Sequence, residues 1–316
     1  MGLINQNSKV FVAGHGGLVG GAVVRRLTES GYDNLITADH GALDLTDQSA
    51  VREFFGENRP DIVILCAAKV GGIHANDTYP AEFIGINMMI QTNVIDAAFR
   101  SDTSHFVFMG TSCTYPRDSQ MPISESALLA GSLEPTNQWY AVAKIAGIKM
   151  VEAYRRQYGF NGISVMPANL YGPGDNFDPR DSHVIPALMR KFHEAKRAGQ
   201  KEVEIWGTGK PRREFLYVED LADATIFVME NYSESEPINI GSGEDIAIAT
   251  LAREIAEVVG FEGRLKFDAS KADGASRRVL DSTKLHSLGW RAPTSLSDGL
   301  RQTYDFFLKN IETIDL

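Results

Sequence analysis

A short apolar run, Lys9-Val10-Phe11-Val12-Ala13, leads directly into Gly14-His15-Gly16-Gly17-Leu18-Val19-Gly20. Glycines 14, 17 and 20 form a GxxGxxG turn, and Leu18, Val19, Ala22 and Val23 then fall on one side of a helix. A strand that breaks on glycines and opens a helix is the first half of a βαβ unit. Glycines at these positions let the chain turn sharply and let a pyrophosphate approach the backbone at a helix N-terminus. Alone, the pattern also describes any glycine-containing turn. Its position between a first strand and a helix is what marks a dinucleotide loop.

The chain repeats this rhythm. The helix is expected over residues 17–30, a second strand over 35–38, and a helix capped by Thr46 or Asp47 that runs to Phe55. Residues 61–68 (DIVILCAA) are apolar after the first, as in a strand buried on both faces. A long helix over 81–100, a strand over 106–110, a helix over 140–158 and a strand over 163–167 follow. The expected fold is α/β, a doubly wound parallel (Rossmann) sheet with right-handed crossovers. After Tyr171 the turn-rich stretch from Gly172 to Ser182 reads as a junction. We expect a dinucleotide-binding domain over 1–171. Residues 172–316 should form a smaller mixed α/β substrate lobe, with some segments returning to the first domain. Its helices are expected over 184–198, 220–231, 249–259 and 297–308, with strands at 203–206 and 238–240.

Composition bounds the partners. The chain has 316 residues, 31 Lys and Arg against 41 Asp and Glu, and a net charge of −10. That balance argues against nucleic acid and against a polybasic membrane surface. Apolar runs fall short of the roughly 20 residues of a membrane span, and the first residues carry no signal-like core. Two cysteines, Cys66 and Cys113, cannot build a disulfide framework and point to a reducing compartment. The expectation is a cytoplasmic enzyme. The seven histidines lack metal-ligand spacing, so no metal is expected.

Several residues carry candidate chemistry. Asp39 follows the second strand, 19 residues after Gly20. It is either the acid that bonds a free ribose 2′-hydroxyl or a turn residue. Tyr140 and Lys144 are four apart on one helical face. An adjacent ammonium would favour the phenolate and let Tyr140 exchange protons near neutral pH; the alternative is a surface pair. Thr111-Ser112-Cys113-Thr114-Tyr115-Pro116 follows a strand end, where a hydroxyl can polarise a carbonyl oxygen. Cys113 is a reactive thiol or a small buried hydrophobe, and His183 is catalytic or structural. Cys66, inside an apolar strand, reads as core.

Taken together, GxxGxxG, the hydroxyl-bearing strand end, YxxxK and Asn169-Leu170-Tyr171-Gly172-Pro173 resemble the extended short-chain dehydrogenase/reductase family. Within it, Ala67-Ala68-Lys69-Val70-Gly71-Gly72, Leu133-Glu134-Pro135-Thr136-Asn137 and Ser182-His183-Val184-Ile185-Pro186 resemble the GDP-L-fucose synthase family. So do Trp206-Gly207-Thr208-Gly209, Arg213-Glu214-Phe215 and Phe267-Asp268-Ala269-Ser270-Lys271. The resemblance spans about residues 9 to 308. It implies epimerisation of GDP-4-keto-6-deoxy-D-mannose at C3 and C5, then reduction at C4 with NADPH. Its alternatives are a GDP-L-colitose or other GDP-deoxysugar synthase, or a nucleotide-sugar 4-epimerase. A non-catalytic NADP sensor would be expected to lose Tyr140 or Lys144.

By the same resemblance, Thr111 is the hydroxyl partner of Tyr140, where relatives commonly carry Ser. Cys113 is the epimerisation base, His183 the acid, and Lys144 holds the nicotinamide ribose. Cofactor contacts are implied for Gly14, Gly17, Leu18, Val19 and Gly20, then Asp39, then Ala67 and Ala68. Pro167, Asn169, Leu170 and His183 complete that set. Lys191, Trp206, Arg213 and Asp273 are implied for the GDP-sugar. The helices over 81–100 and 140–158 resemble the family's four-helix homodimer interface. One stretch departs from NADP-preferring relatives, which commonly carry Arg near the end of the second strand. This chain has Thr37-Ala38-Asp39-His40 there, so NADH is open, or Arg25 or Arg26 serves instead. Two anionic ligands on an acidic chain require a locally positive cleft. Lys191 and Arg213 would supply it, deepened by Arg190, Lys210, Arg212, Arg277 and Arg278.

Overall fold

The chain opens with β1 (Val10–Ala13), buried at every position, and α1 (Leu18–Glu29), which buries Ala22, Val23 and Leu27. β2 (Leu35–Ile36) and α2 (Gln48–Asn58) follow. Asp47 starts α2 by accepting from the Ser49 and Ala50 amides at 2.8 and 3.1 Å, which satisfies two otherwise orphaned donors. β3 (Ile62–Leu65) is again buried throughout. α3 (Ile73–Thr78) and α4 (Pro80–Arg100), with proline at its first position, lead to β4 (His105–Met109). α5 (Gln138–Tyr158) ends on Gly159 and turns into β5 (Gly162–Pro167). This computed structural model describes residues 5–179, 181–271 and 273–314.

The second half runs through β6 (Asn169–Tyr171), α6 (Val184–Arg197), β7 (Glu202–Trp206), β8 (Arg212–Tyr217) and α7 (Val218–Asn231). β9 (Ile238–Ile240), β10 (Asp245–Ala247), α8 (Ile248–Val259), β11 (Arg264–Asp268) and β12 (Arg277–Arg278) follow. α9 (Thr283–Ser287) and α10 (Leu296–Ile314) close the chain.

Six strands form one parallel sheet in the order β2-β1-β3-β4-β5-β9. The doubly wound sheet is therefore as expected. The chain winds from β1 to β2, then restarts at β3 on the other side of β1. That reversal opens a crevice at the carboxyl ends of β1 and β3. β3 stops at Leu65, short of the expected Ala68. Cys66 and Ala67 both donate to the Ala13 carbonyl, at 3.0 and 2.8 Å, and turn out of the ladder to line that crevice.

A second core joins Tyr171, Phe177, Ile185 and Phe192 to Leu251, Ile255 and Phe307. The late segments α7 and β9 belong to the first core, through residues such as Leu221, Val228 and Ile238. Strand β8 links the two parts. Its first half pairs antiparallel with β10 and parallel with β12, and its second half pairs parallel with β6. The sequence reading did not anticipate β8. Within it Glu214 is fully buried and accepts from the Gly243 and Leu280 amides, both at 2.7 Å. Burial pushes that carboxyl upward, and the amides that hold it pull the other way.

Candidate active site

The glycine turn closes on contacts that only glycine permits. Gly14 sits at φ +87°, and a Cβ there would lie 2.6 Å from the Ala67 nitrogen. A Cβ on Gly20 would overlap the Gly14 carbonyl. Gly17 caps α1 without a side-chain bond, and the first turn carries no acid. The helix N-terminus is thus left to an incoming anion, which is what a pyrophosphate requires. Leu18 and Val19 open α1 at this end, and Ala67 packs against Gly14. These residues fit a dinucleotide.

Beyond β2, Asp39 stands 87% exposed, with Oδ1 3.2 Å from His15 Nε2. The expected recruits for a 2′-phosphate are already engaged. Arg25 pairs with Glu219 at 2.5 Å, and Arg26 pairs with Asp223 at 2.6 Å, both on α7. The reading that Arg25 or Arg26 serves the cofactor is corrected: both arginines tie α1 to α7.

Three of the expected site residues, Thr111, Tyr140 and Lys144, come from the end of β4 and from α5. Thr111 caps a short 3₁₀ turn over Ser112–Thr114, where its hydroxyl oxygen accepts from the Cys113 amide at 3.3 Å. That bond leaves the hydroxyl proton for another acceptor. Tyr140 lies in the first turn of α5, its ring set edge-on against Phe83 at 6.4 Å. One helical turn on, Lys144 is 3% exposed. Its Nζ donates to the Met109 carbonyl at 2.8 Å and lies 4.8 Å from the centre of the Phe108 ring.

The electrostatics differ from the expectation. Burial raises the Tyr140 phenol, and the charge of Cys113 raises it further. Burial lowers Lys144 to about 8. The lysine therefore does not bring Tyr140 toward phenolate. Its Nζ is 6.0 Å from the centre of the tyrosine ring and bonded to a backbone carbonyl. Tyr140 stays neutral, a proton donor. Cys66, one residue past β3 and partly buried against the first core, has its thiol pushed up to about 12 by burial.

His183 sits at the N-terminus of α6, 55% exposed, with Nδ1 3.9 Å from Asp175 Oδ1. That is an ion-pair distance, longer than a hydrogen bond. Asp175 raises the imidazole above its ordinary range, against burial, and Asp181 adds to the rise. Asp175 itself is nearly inaccessible, and its Oδ2 has no partner among the described residues. Sequence reading missed Asp175. Its signal was an acid inside the Gly172-Pro173-Gly174 turn, easily taken for a turn former.

The substrate-side residues divide. Trp206, at the end of β7, is 69% exposed, with Lys271 Nζ 5.6 Å from its ring centre. Lys191 Nζ donates to the Glu204 carbonyl at 2.5 Å. Arg213 donates to the Ala275 carbonyl at 2.6 Å, and its guanidinium is lowered by burial and by neighbouring Arg278. Asp273 accepts from the Thr208 amide and hydroxyl at 2.9 and 2.6 Å and so ties two loops together. Asn169 donates to the Glu214 carbonyl at 2.8 Å, beside Leu170 in β6, while Pro167 ends β5.

The deepened positive pocket also needs correction. Arg212 and Arg277 both pair with Asp245, and Arg190 pairs with Glu194. Arg278 instead donates to the Ser112 carbonyl at 2.9 Å. It reaches from β12 to hold the turn that carries Cys113.

Comparison with known proteins agrees with this geometry. Residues 10–241 match the model of the NAD dependent epimerase/dehydratase family. GDP-L-fucose synthase 1 of Arabidopsis thaliana is 58% identical over 97% of this chain and 95% of its own. GDP-L-fucose synthase of Escherichia coli strain K12 is 53% identical over 96% of this chain and 97% of its own. The NADP-bound structure of a GDP-L-fucose synthetase from Naegleria fowleri superposes with a TM-score of 0.91 at 29% identity, covering 98% of this chain and 97% of the other. A glycine cradle at the β1/β3 reversal, a Tyr–Lys pair on α5 and these likenesses agree, and the chain belongs to the NAD dependent epimerase/dehydratase family.

Proposed function

We propose that this chain converts GDP-4-keto-6-deoxy-D-mannose to GDP-L-fucose, inverting C3 and C5 and then reducing C4 with NADPH. The observation that carries this reading is that Thr111 and Cys113 share one turn at the end of β4, with Cys113 near enough to Tyr140 to raise its phenol, on a sheet whose first strand ends in the glycine turn. More than half identity to GDP-L-fucose synthases over nearly the whole chain supports the substrate.

The chemistry needs one electrophilic site. C3 and C5 both flank the C4 ketone, so enolisation acidifies their protons. Donors on the C4 oxygen stabilise each enolate in turn. Thr111 and Tyr140 supply those donors, since both hold a hydroxyl proton. Cys113 removes the C3 and C5 protons, and His183, whose proton is held more firmly beside Asp175, returns protons on the opposite face. In the reduction, Tyr140 gives its proton to the C4 oxygen. The bound nicotinamide supplies the hydride. Lys144 uses one of its three N–H groups on Met109 and orients the ribose with the others.

Lys191, Arg213 and Trp206 hold the GDP portion in this reading, with Asp273 anchoring Thr208 in the loop after Trp206. In this reading a dinucleotide domain runs to about Tyr171 and a substrate lobe follows, with α7 and β9 returning to the first core. Exposed Met88, Met89, Trp139 and Val142 on α4 and α5 support a homodimer through a four-helix bundle. No described helix is long and apolar enough to cross a membrane, and we assign the enzyme to the cytoplasm.

Product analysis tests the reading. Incubation with the 4-keto sugar and NADPH should give GDP-L-fucose. A 4-reduced product that keeps the starting C3 and C5 configurations would overturn it.

A further inference from the structure

The adenosine end of the dinucleotide site carries a charge arrangement that a 2′-phosphate does not explain. A doubly wound fold places the adenosine ribose beside the end of the second strand, and an acid there accepts from a free 2′-hydroxyl. Asp39 occupies that position, 87% exposed, with Oδ1 3.2 Å from Nε2 of His15 in the glycine turn itself. A 2′-phosphate brings nearly two negative charges and needs cations. The arginines of α1 are committed: Arg25 to Glu219 at 2.5 Å, Arg26 to Asp223 at 2.6 Å. Asp44, further along the same loop, has its carboxyl held below its ordinary range mainly by Thr46, with a small contribution from His40.

We propose that this end of the site is built for a free ribose 2′-hydroxyl. NADH then serves alongside NADPH and binds at least as tightly, and Asp39 sets the ratio. The proposal rests on the dinucleotide reading of the glycine loop and not on the identity of the sugar substrate. Asp39 touches neither core, so its replacement leaves the fold intact.

Equilibrium binding of NADH and NADPH to the whole chain, followed by calorimetry, tests it without any turnover. The wild type should bind NADH with a dissociation constant equal to or below that of NADPH. Asp39→Ala should move the ratio about tenfold toward NADPH, the effect of removing one like charge from an exposed site. Asp39→Asn, which keeps an acceptor but loses the charge, should fall between the two. A wild type that prefers NADPH, or a ratio that Asp39→Ala leaves unmoved, overturns the proposal. Binding of neither dinucleotide overturns the loop reading and the proposal with it, so the two failures are told apart.

Discussion

The two walls of the crevice are made differently. The dinucleotide wall is backbone: a glycine turn, an uncapped helix end and the Ala13 carbonyl that anchors Ala67. The reacting wall is side chains, drawn from β4's end, from α5 and from the start of α6, and braced by Arg278 from β12. A backbone site is set by steric rules and tolerates little; a side-chain site is set by charge and proton position and can be retuned one group at a time. Substitutions should separate the walls accordingly.

The largest effect belongs to the reacting wall. Tyr140→Phe should lower the reduction rate by about 10²–10⁴-fold, the range for losing a positioned proton donor. NADPH affinity, measured by titration, should stay near wild type. Near-normal turnover would remove Tyr140 from the chemistry. On the other wall, Gly14→Ala puts a Cβ 2.6 Å from the Ala67 nitrogen at φ +87°. Overpacking of that kind costs about 1–3 kcal/mol, so both melting temperature and dinucleotide affinity should fall together. If affinity falls alone, the glycine serves the ligand only.

That contrast also explains what the sequence revealed. The parallel sheet and glycine turn are legible because period, burial and turn chemistry are local signals. Thr111, Cys113, Tyr140, Lys144 and His183 were reached through motif resemblance, and their electrostatics were not. The Tyr140–Lys144 spacing implies an ammonium lowering a phenol, yet burial raises Tyr140 and lowers Lys144 to about 8. The cation clusters around Arg212 and Arg277 look free in sequence because their partner, Asp245, lies on another strand. β8 was missed because its charged first half, exposed at Arg212 and buried only at Glu214, is held as a strand by pairing on both sides.

Smaller effects probe protons. Asp175→Asn should lower the His183 pKa toward the ordinary imidazole range and move the alkaline limb of epimerisation to lower pH. An unmoved limb would make Asp175 structural only. His183 is raised in the folded protein, so its stabilising link is fully present below the ordinary imidazole range. It is lost as pH rises through the folded value. Lys144 runs the other way. Its proton leaves the folded protein near pH 8 and the unfolded chain near 10.5, so the unfolded chain binds more protons between them. Stability should therefore rise with pH across that window. Urea unfolding of the wild type against Lys144→Met, followed by circular dichroism, should show a rise that the variant lacks. Equal pH slopes would contradict the buried ammonium.

The central claim is that a single cluster performs two separable reactions, proton exchange through Cys113 and hydride delivery beside Tyr140. The direct measurement is Cys113→Ser in D₂O, with proton NMR of the 4-keto sugar. Deuterium should fail to enter C3 and C5, while an already epimerised ketone is still reduced with NADPH. Normal deuterium entry in that variant would contradict the account.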